Sequence, residues 1–312
     1  RKALIHEIPR RIRLLQDAPD TALKLDATTG HLFWDETPLG RLTAGTSLLR
    51  PAIQLFPAEF TDTVQKTHVE TRLLTFVANH IRTDLKALYR AHALAEHEPG
   101  LRAILHRLME DGGITETLPE DQALSPALRS KLRKHGVEVG RFSIFCPALF
   151  RARPLDLLGL LHALHRQTPH RPTAPGRVSL PWPEISGQFG WIRAGETGLR
   201  LDIAERCIAE LHQLTRRRDH TAPPDLASRL GVKSDSLPSV LKGLGIAHQP
   251  AETHSSTHAG PPRPLMILHD RKTRASRRSR AAQHESAFRR PSPPRTDSPF
   301  AALAILREKV RP

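Results

Sequence analysis

The stretch Gly136-Val-Glu-Val-Gly-Arg-Phe-Ser-Ile-Phe-Cys-Pro-Ala-Leu-Phe150 constrains the fold more than any other part of the chain. Val137, Val139, Phe142, Ile144 and Cys146 are apolar in near alternation and include β-branched and aromatic side chains, the pattern of a strand. Pro147 ends the ladder, because proline has no N–H to donate. Pro154 sits where the first turn of a helix accepts it. From there Leu155-Asp-Leu-Leu-Gly-Leu-Leu-His-Ala-Leu-His165 runs on as a strongly apolar helix. A strand leading into a buried helix is core, and the polar flanks are expected to pack around it. The stretch is scaffold without a catalytic group, and Cys146 beside Pro147 reads as a small core hydrophobe.

The flanks divide into recognisable segments. Ile5, Ile8, Ile12 and Leu15 recur at three and four residues, one helix face, with Pro9 as an interruption. Leu23–Asp26, Gly30–Asp35, Pro38–Leu42 and Ala52–Phe56 alternate apolar with polar between turn residues and predict a small antiparallel β-unit. From Ala58 to His97, Val64, Val69, Leu73, Leu74, Val77, Ile81, Leu85 and Leu88 form one helical stripe. Leu101–Glu110 is a second helix ended by Gly112-Gly113, and Ser125-Pro126 opens another that ends at Gly136. Thr168–Gly198 reads as loop with short strands around Val178 and Phe189, and Leu199–Leu214 is helical. Pro223–Gly245 reads as helix–turn–helix with Gly231 at the turn. Beyond Gln249 the His, Ser, Thr, Pro and Arg composition buries too little surface to offset chain entropy, so disorder is expected up to Ser298. Phe300, Leu303, Leu306 and Val310 then predict a short amphipathic helix, marginal on its own.

These segments give an α+β, mainly helical fold with an ordered body over about 1–248. Its parts are a helix end and small antiparallel β-unit (1–56), a helical segment (57–135) and a strand–helix core with a helix–turn–helix-like hairpin (136–248). A disordered basic linker (249–298) and a short C-terminal helix (299–312) complete it.

Charge points to the kind of partner. The 312 residues carry a formal net charge of +15, which favours a polyanion. Nearly half of it lies between His269 and Arg295. There Arg271, Lys272, Arg274, Arg277, Arg278, Arg280, Arg289, Arg290 and Arg295 face only Asp270 and Glu285. Arginines separated by Ser, Ala and Pro, without interleaved aromatics, suit phosphate contacts better than base reading. A solubilising tail is the plainer alternative. In the helix–turn–helix, Ala227, Gly231, Val232 and Val240 fall where a small contact, a tight turn and core residues are needed. As a DNA reader it would expose Lys233, Ser234, Asp235, Ser236 and Ser239 on the second helix, with Lys242 near a phosphate. Asp235 and a helix-breaking Pro238 speak against that, and a small hairpin packed on the core is the competing expectation.

Other chemistries find little support. No Gly-x-x-x-x-Gly-Lys-Ser/Thr loop or Gly-x-Ser-x-Gly elbow occurs. Asp35-Glu36 after Leu32-Phe-Trp34 mimics the acidic end of an ATPase strand, but a hairpin turn explains it better. Among 18 histidines, His162 with His165, and His92 with His97 around Glu96, lack a third ligand at motif spacing. No catalytic residue, metal site or cofactor is therefore expected. Cys146 and Cys207, the only cysteines, are far apart in apolar runs, which suits a reducing compartment and a cytoplasmic location. No apolar run approaches the ~20 residues of a membrane span, so no membrane partner is expected. The start at Arg1, without Met or a signal-peptide pattern, suggests a piece of a longer chain.

Several stretches resemble the C-terminal region of bacterial Suv3-like helicases, superfamily-2 ATP-dependent RNA helicases of alphaproteobacteria. These are Arg1 to Leu15, Leu25-Asp26 with Gly30–Leu42, and above all Gly136–Phe150. Ala194–Asp202, Leu241–Gly245 and Asp297–Leu306 follow in the same order and spacing. The resemblance implies an accessory region that contacts nucleic acid, RNA ahead of DNA, and packs against motor domains or another protein, the C-terminal helix being one docking element. ATP and Mg would belong to the motor, whose motifs are absent here. The arginine- and histidine-rich 250–296 segment departs from the family pattern. Two other classes remain in view: a stand-alone regulatory protein using the helix–turn–helix, and a protein-docking scaffold.

Overall fold

A computed structural model describes residues 2–56, 63–171, 174, 176–252 and 263–269. It is a mixed α+β fold, mainly helical, with small antiparallel sheets. Helix α1 (Lys2–Asp17) runs through Pro9 and buries Ile12 and Leu15. Strands β1 (Leu23–Leu25), β2 (His31–Trp34), β3 (Thr37–Ser47) and β4 (Arg50–Leu55) form a meander in that order. Asp35 and Glu36, at φ 50° and 80°, make the two-residue turn between β2 and β3, with Trp34 opposite Thr37. Positive φ at both central residues matches the twist of the flanking strands, so this acidic pair is a hairpin tip.

Helix α2 (Thr63–Asp84) packs on α1 and β4 through Val69, Leu73, Phe76, Val77 and Ile81. The expected stripe is corrected at two positions: Val64 is 60% and Leu74 37% exposed, while Phe76 takes a core place. The long helix also breaks at Leu85, and α3 (Lys86–His92) and α4 (Arg102–Glu110) follow. A second sheet holds β5 (Ile114–Glu116). Next come α5 (Pro119–Gln122) and α6 (Pro126–Lys134), where the Ser125 hydroxyl accepts the Leu128 N–H at 3.3 Å as an N-cap.

The stretch 137–146 is not one strand. It folds back as β6 (Glu138–Val139) and β7 (Ser143–Phe145), paired antiparallel, with β7 between β5 and β6. The reversal falls at Gly140, against which a buried carboxylate is seated. Alternation carries no sign of this, because residues on both arms of so tight a hairpin still turn their apolar side chains inward. Helix α7 (Ala152–His165) follows as expected. Leu155, Leu157, Leu158, Leu160 and Leu161 are all at most 2% exposed, so the helix is buried over most of its circumference, with the Asp156–Gly159 side partly open. It lies against β3, β4 and α2 at the centre of the larger core. Cys146 is in that core, and burial pushes its thiol up to about 12, which leaves it inert as a nucleophile.

His162 on α7 stacks on Phe189 at 4.3 Å. Burial, helped by the nearby Arg166 charge, lowers its pKa from 6.5 to about 4. The folded value lies below the unfolded one, so its contribution to stability is present above about pH 6.5 and lost as pH falls through 4. The expected loss is roughly 3 kcal/mol. Acid titration of thermal stability in His162→Gln should be flatter by that amount; parallel curves for the two proteins would exclude a buried neutral imidazole.

The remaining chain builds a second core. Strands β8 (Ser179–Pro181), β9 (Trp191–Ala194) and β10 (Thr197–Arg200) form a sheet in the order β8-β10-β9, with α8 (Trp182–Ile185) between the first two in sequence. Helix α9 (Leu201–Leu214) leads to β11 (His220–Thr221), α10 (Leu226–Arg229), α11 (Leu237–Gly243), β12 (His248–Gln249) and β13 (Met266–Ile267). The expected end of order at Gln249 is therefore corrected. Residues 263–269 return to the body, and β13 is the central strand between β11 and β12. Ile267, 2% exposed, joins Leu211, Leu226, Leu241 and Leu244 in the second core. The predicted C-terminal helix and most of the predicted basic linker lie outside the described residues. Among the described residues no helix is long and apolar enough to cross a membrane.

Candidate nucleic-acid interface

The helix–turn–helix segment does not present a reading helix. Helix α10 has four residues and α11 has seven. Gly231 makes the turn at φ 63°, where a Cβ would also meet Ser179 Oγ at 3.1 Å. Lys233 follows the turn, and Ser234–Ser236 form a 3-10 turn ahead of α11, so these residues are not on the second helix as expected. Pro238 falls in the first turn of α11 and does not break it. Leu237, Val240 and Leu241 face the core, while Gly243 lies so close to Ala194-Gly195 that a Cβ would sit 2.3 Å from the Gly195 nitrogen. Arg229 is tied to Glu210 on α9. A hairpin packed on the core describes the unit. Lys233 and Lys242 are exposed on it, but no groove-sized helix carries them. Arg271, Lys272, Arg274, Arg277, Arg278, Arg280, Arg289 and Arg290 lie outside the described residues.

The structure instead gathers cations from segments far apart in sequence. A cleft of about 270 Å³ is bounded by the β6–β7 turn, the end of α9, residues 245–247 and residues 267–269. Its charged or titratable lining is Arg141, His212, Arg216 and His269, and no carboxylate lines it among the described residues. Arg141 Nη1 donates to His212 Nε2 at 3.1 Å, and Nη2 donates to the Gly245 carbonyl at 3.3 Å. The guanidinium also lies 5.6 Å from the Phe142 ring centroid. An arginine can only donate, so His212 accepts at Nε2 and is neutral in this arrangement. On the opposite wall His269 Nδ1 donates to the Thr215 carbonyl at 2.6 Å, and the His269 amide donates to Asp219 at 2.6 Å. Arg216, Arg217 and Arg218 are exposed just past the end of α9.

Glu205 holds the near wall in place. From buried α9 its carboxylate accepts the backbone N–H groups of Arg141, Phe142 and Ser143 at 2.7, 2.7 and 2.9 Å. A Cβ on Gly140 would lie 2.4 to 2.6 Å from the carboxylate atoms, so only glycine allows the loop to close over it. Burial raises the Glu205 carboxyl above its ordinary range, against the lowering effect of the three donors and of Arg141.

The histidine pairs considered as ligands go elsewhere: His162 is stacked on Phe189, and His92 faces His106 across α3 and α4 at 3.2 Å. Among the described residues no three His, Cys, Asp or Glu side chains gather in a metal-holding group. Sequence reading did not find the cleft, because its contacts join residues 50 to 104 positions apart. The one local signal was the Arg216-Arg217-Arg218 run beyond a helix end. No family model, curated protein or solved structure matches this chain.

Proposed function

We propose that this chain is the accessory, non-motor region of a Suv3-like ATP-dependent RNA helicase, acting in the cytoplasm and contacting nucleic acid, RNA ahead of DNA. The observation that carries it is the convergence of Arg141, Arg216, His212 and His269 in a cleft without a lining carboxylate. The quoted sequence stretches, with their family order and spacing, supply the helicase context. In sequence the basic run begins at Arg271, two residues after His269. Backbone-directed cations of this kind give salt-sensitive, largely sequence-blind binding. ATP and Mg would be bound by the motor, against which this region packs.

The test is fluorescence anisotropy with a labelled single-stranded RNA and with duplex DNA, on the full chain and on a chain ending at Asp270. The full chain is expected to bind RNA with affinity that falls steeply as salt rises, by about 0.7 log unit per log unit of salt for each phosphate engaged. The chain ending at Asp270 should keep part of that slope. No binding at low salt would overturn the nucleic-acid reading. Sequence-selective duplex binding that persists at high salt would favour the stand-alone regulator. ATP hydrolysis that stays with the chain through repurification would overturn the separation from a motor.

A further inference from the structure

We propose that the cleft binds a phosphate group, with Arg141 and Arg216 as permanent cations and with His212 and His269 taking up protons as the phosphate enters. The proposal rests on the nucleic-acid reading for the source of the phosphate, but the cleft's own geometry for the site.

Arg141 is already placed. Glu205 fixes its backbone, the Gly245 carbonyl and His212 hold its guanidinium, and these two bonds engage two of its five N–H donors. Its partners His212 and Gly245 are neutral acceptors, so an arriving anion need not displace a carboxylate from the guanidinium. His212 Nε2 and Arg141 Nη1 are 3.1 Å apart. When His212 is protonated, both atoms become donors, and a phosphate oxygen between them satisfies the pair that would otherwise repel. His269 uses Nδ1 toward Thr215, so Nε2 is where it gains a proton. Arg141 and Arg216 line the same cleft as the two imidazoles, and Asp219 accepts the His269 amide N–H. An anion seated between cations and imidazoles favours the charged imidazoles, so phosphate and proton bind cooperatively.

This predicts a signature that arginine contacts alone do not give. Guanidinium charge is constant between about pH 5.5 and 8, while histidine charge is not. Binding of a labelled single-stranded RNA to the full chain at ~150 mM salt should tighten several-fold as pH falls across that window. Arg141→Gln and Arg216→Gln should each weaken it by about tenfold. The double variant His212→Gln with His269→Gln should bind with a nearly flat pH profile. Arg216 is exposed, so its variant guards against a folding defect in Arg141→Gln.

Comparison of 5′-phosphorylated with 5′-hydroxyl RNA of one sequence identifies the source. A large preference for the former assigns a terminal phosphate, and equal binding assigns the backbone; either supports the site. If Arg141→Gln and Arg216→Gln bind like the parent while replacing the arginines of 271–290 abolishes binding, the cleft proposal fails and the nucleic-acid reading stands. If the full chain binds no RNA, that reading fails, and inorganic phosphate decides the cleft separately. Phosphate-dependent upward movement of the His212 and His269 titrations in NMR would retain it, and unmoved titrations would overturn it.

Discussion

Ending the chain at Gln249 is expected to unfold the second core, whereas ending it at Asp270 leaves that core intact. The short version removes β13, the only strand that joins β11 to β12 among the described residues. It removes Ile267, whose loss by large-to-small substitution would by itself cost about 2–5 kcal/mol. It also removes the Leu265 carbonyl that accepts the Ala222 N–H at 2.8 Å, the Leu268 N–H donated to Ala247 at 2.9 Å, and both bonds of His269. Each such bond contributes about 1 kcal/mol net. Against a domain stability of about 5–15 kcal/mol, that sum is decisive. Thermal melts should show a transition lowered by about 10 °C or more, and amide exchange in α9 and α11 should lose its protection. Unchanged protection in the shorter chain would mean that β13 is not a structural strand. The comparison also matters for any RNA-binding truncation, since a cut at Gln249 would destroy the cleft together with the tail.

The second large effect is expected at Gly140. Gly140→Ala drives a methyl group to within 2.4 Å of the Glu205 carboxylate, which is buried and cannot swing into solvent without leaving three backbone donors behind. The expected cost is about 3–5 kcal/mol, the range for breaking a buried charged network. Glu205→Gln should cost less, about 2 kcal/mol, because an amide can still accept but its NH₂ faces a backbone N–H. Glu205→Gln also differs from the parent in pH response. Burial holds the Glu205 carboxyl above its ordinary range, so the folded protein binds that proton more tightly than the unfolded chain. The associated stability is present below the unfolded value and lost as pH rises through the folded one. The parent's advantage over Glu205→Gln should therefore be largest in acid and shrink toward neutrality. Chemical denaturation at about pH 4 and about pH 7 measures this; an advantage that grows toward neutrality would show that the three donors outweigh burial.

Legibility in the sequence followed how local each cause is. Asp35-Glu36 was readable as a turn because two-residue hairpin geometry is set within four residues. Helix α7 was readable because leucines around most of its circumference have one explanation, and Ser125 because an N-cap acts on its own first turn. The break at Gly140 was not, since its cause is a carboxylate 65 positions later in the chain. Pro238 depends on where its helix starts: one residue earlier or later decides whether proline ends a helix or opens it. Met266-Ile267 was lost inside a composition that otherwise argues against burial, because two apolar residues become a central strand only when two other strands wait on either side. The cleft combined all of these difficulties, since none of its four walls marks the others.

The position of β13 has a consequence for biosynthesis. The larger core is complete once the ribosome has made Leu201, but the second cannot close until residue 269 has left the exit tunnel. At about 5–20 residues per second, β11 spends about 2–10 seconds and β12 about 1–4 seconds as unpaired edges on the nascent chain. A chaperone that shields short exposed strands would act in that interval, and stalled or prematurely terminated chains would carry those edges permanently.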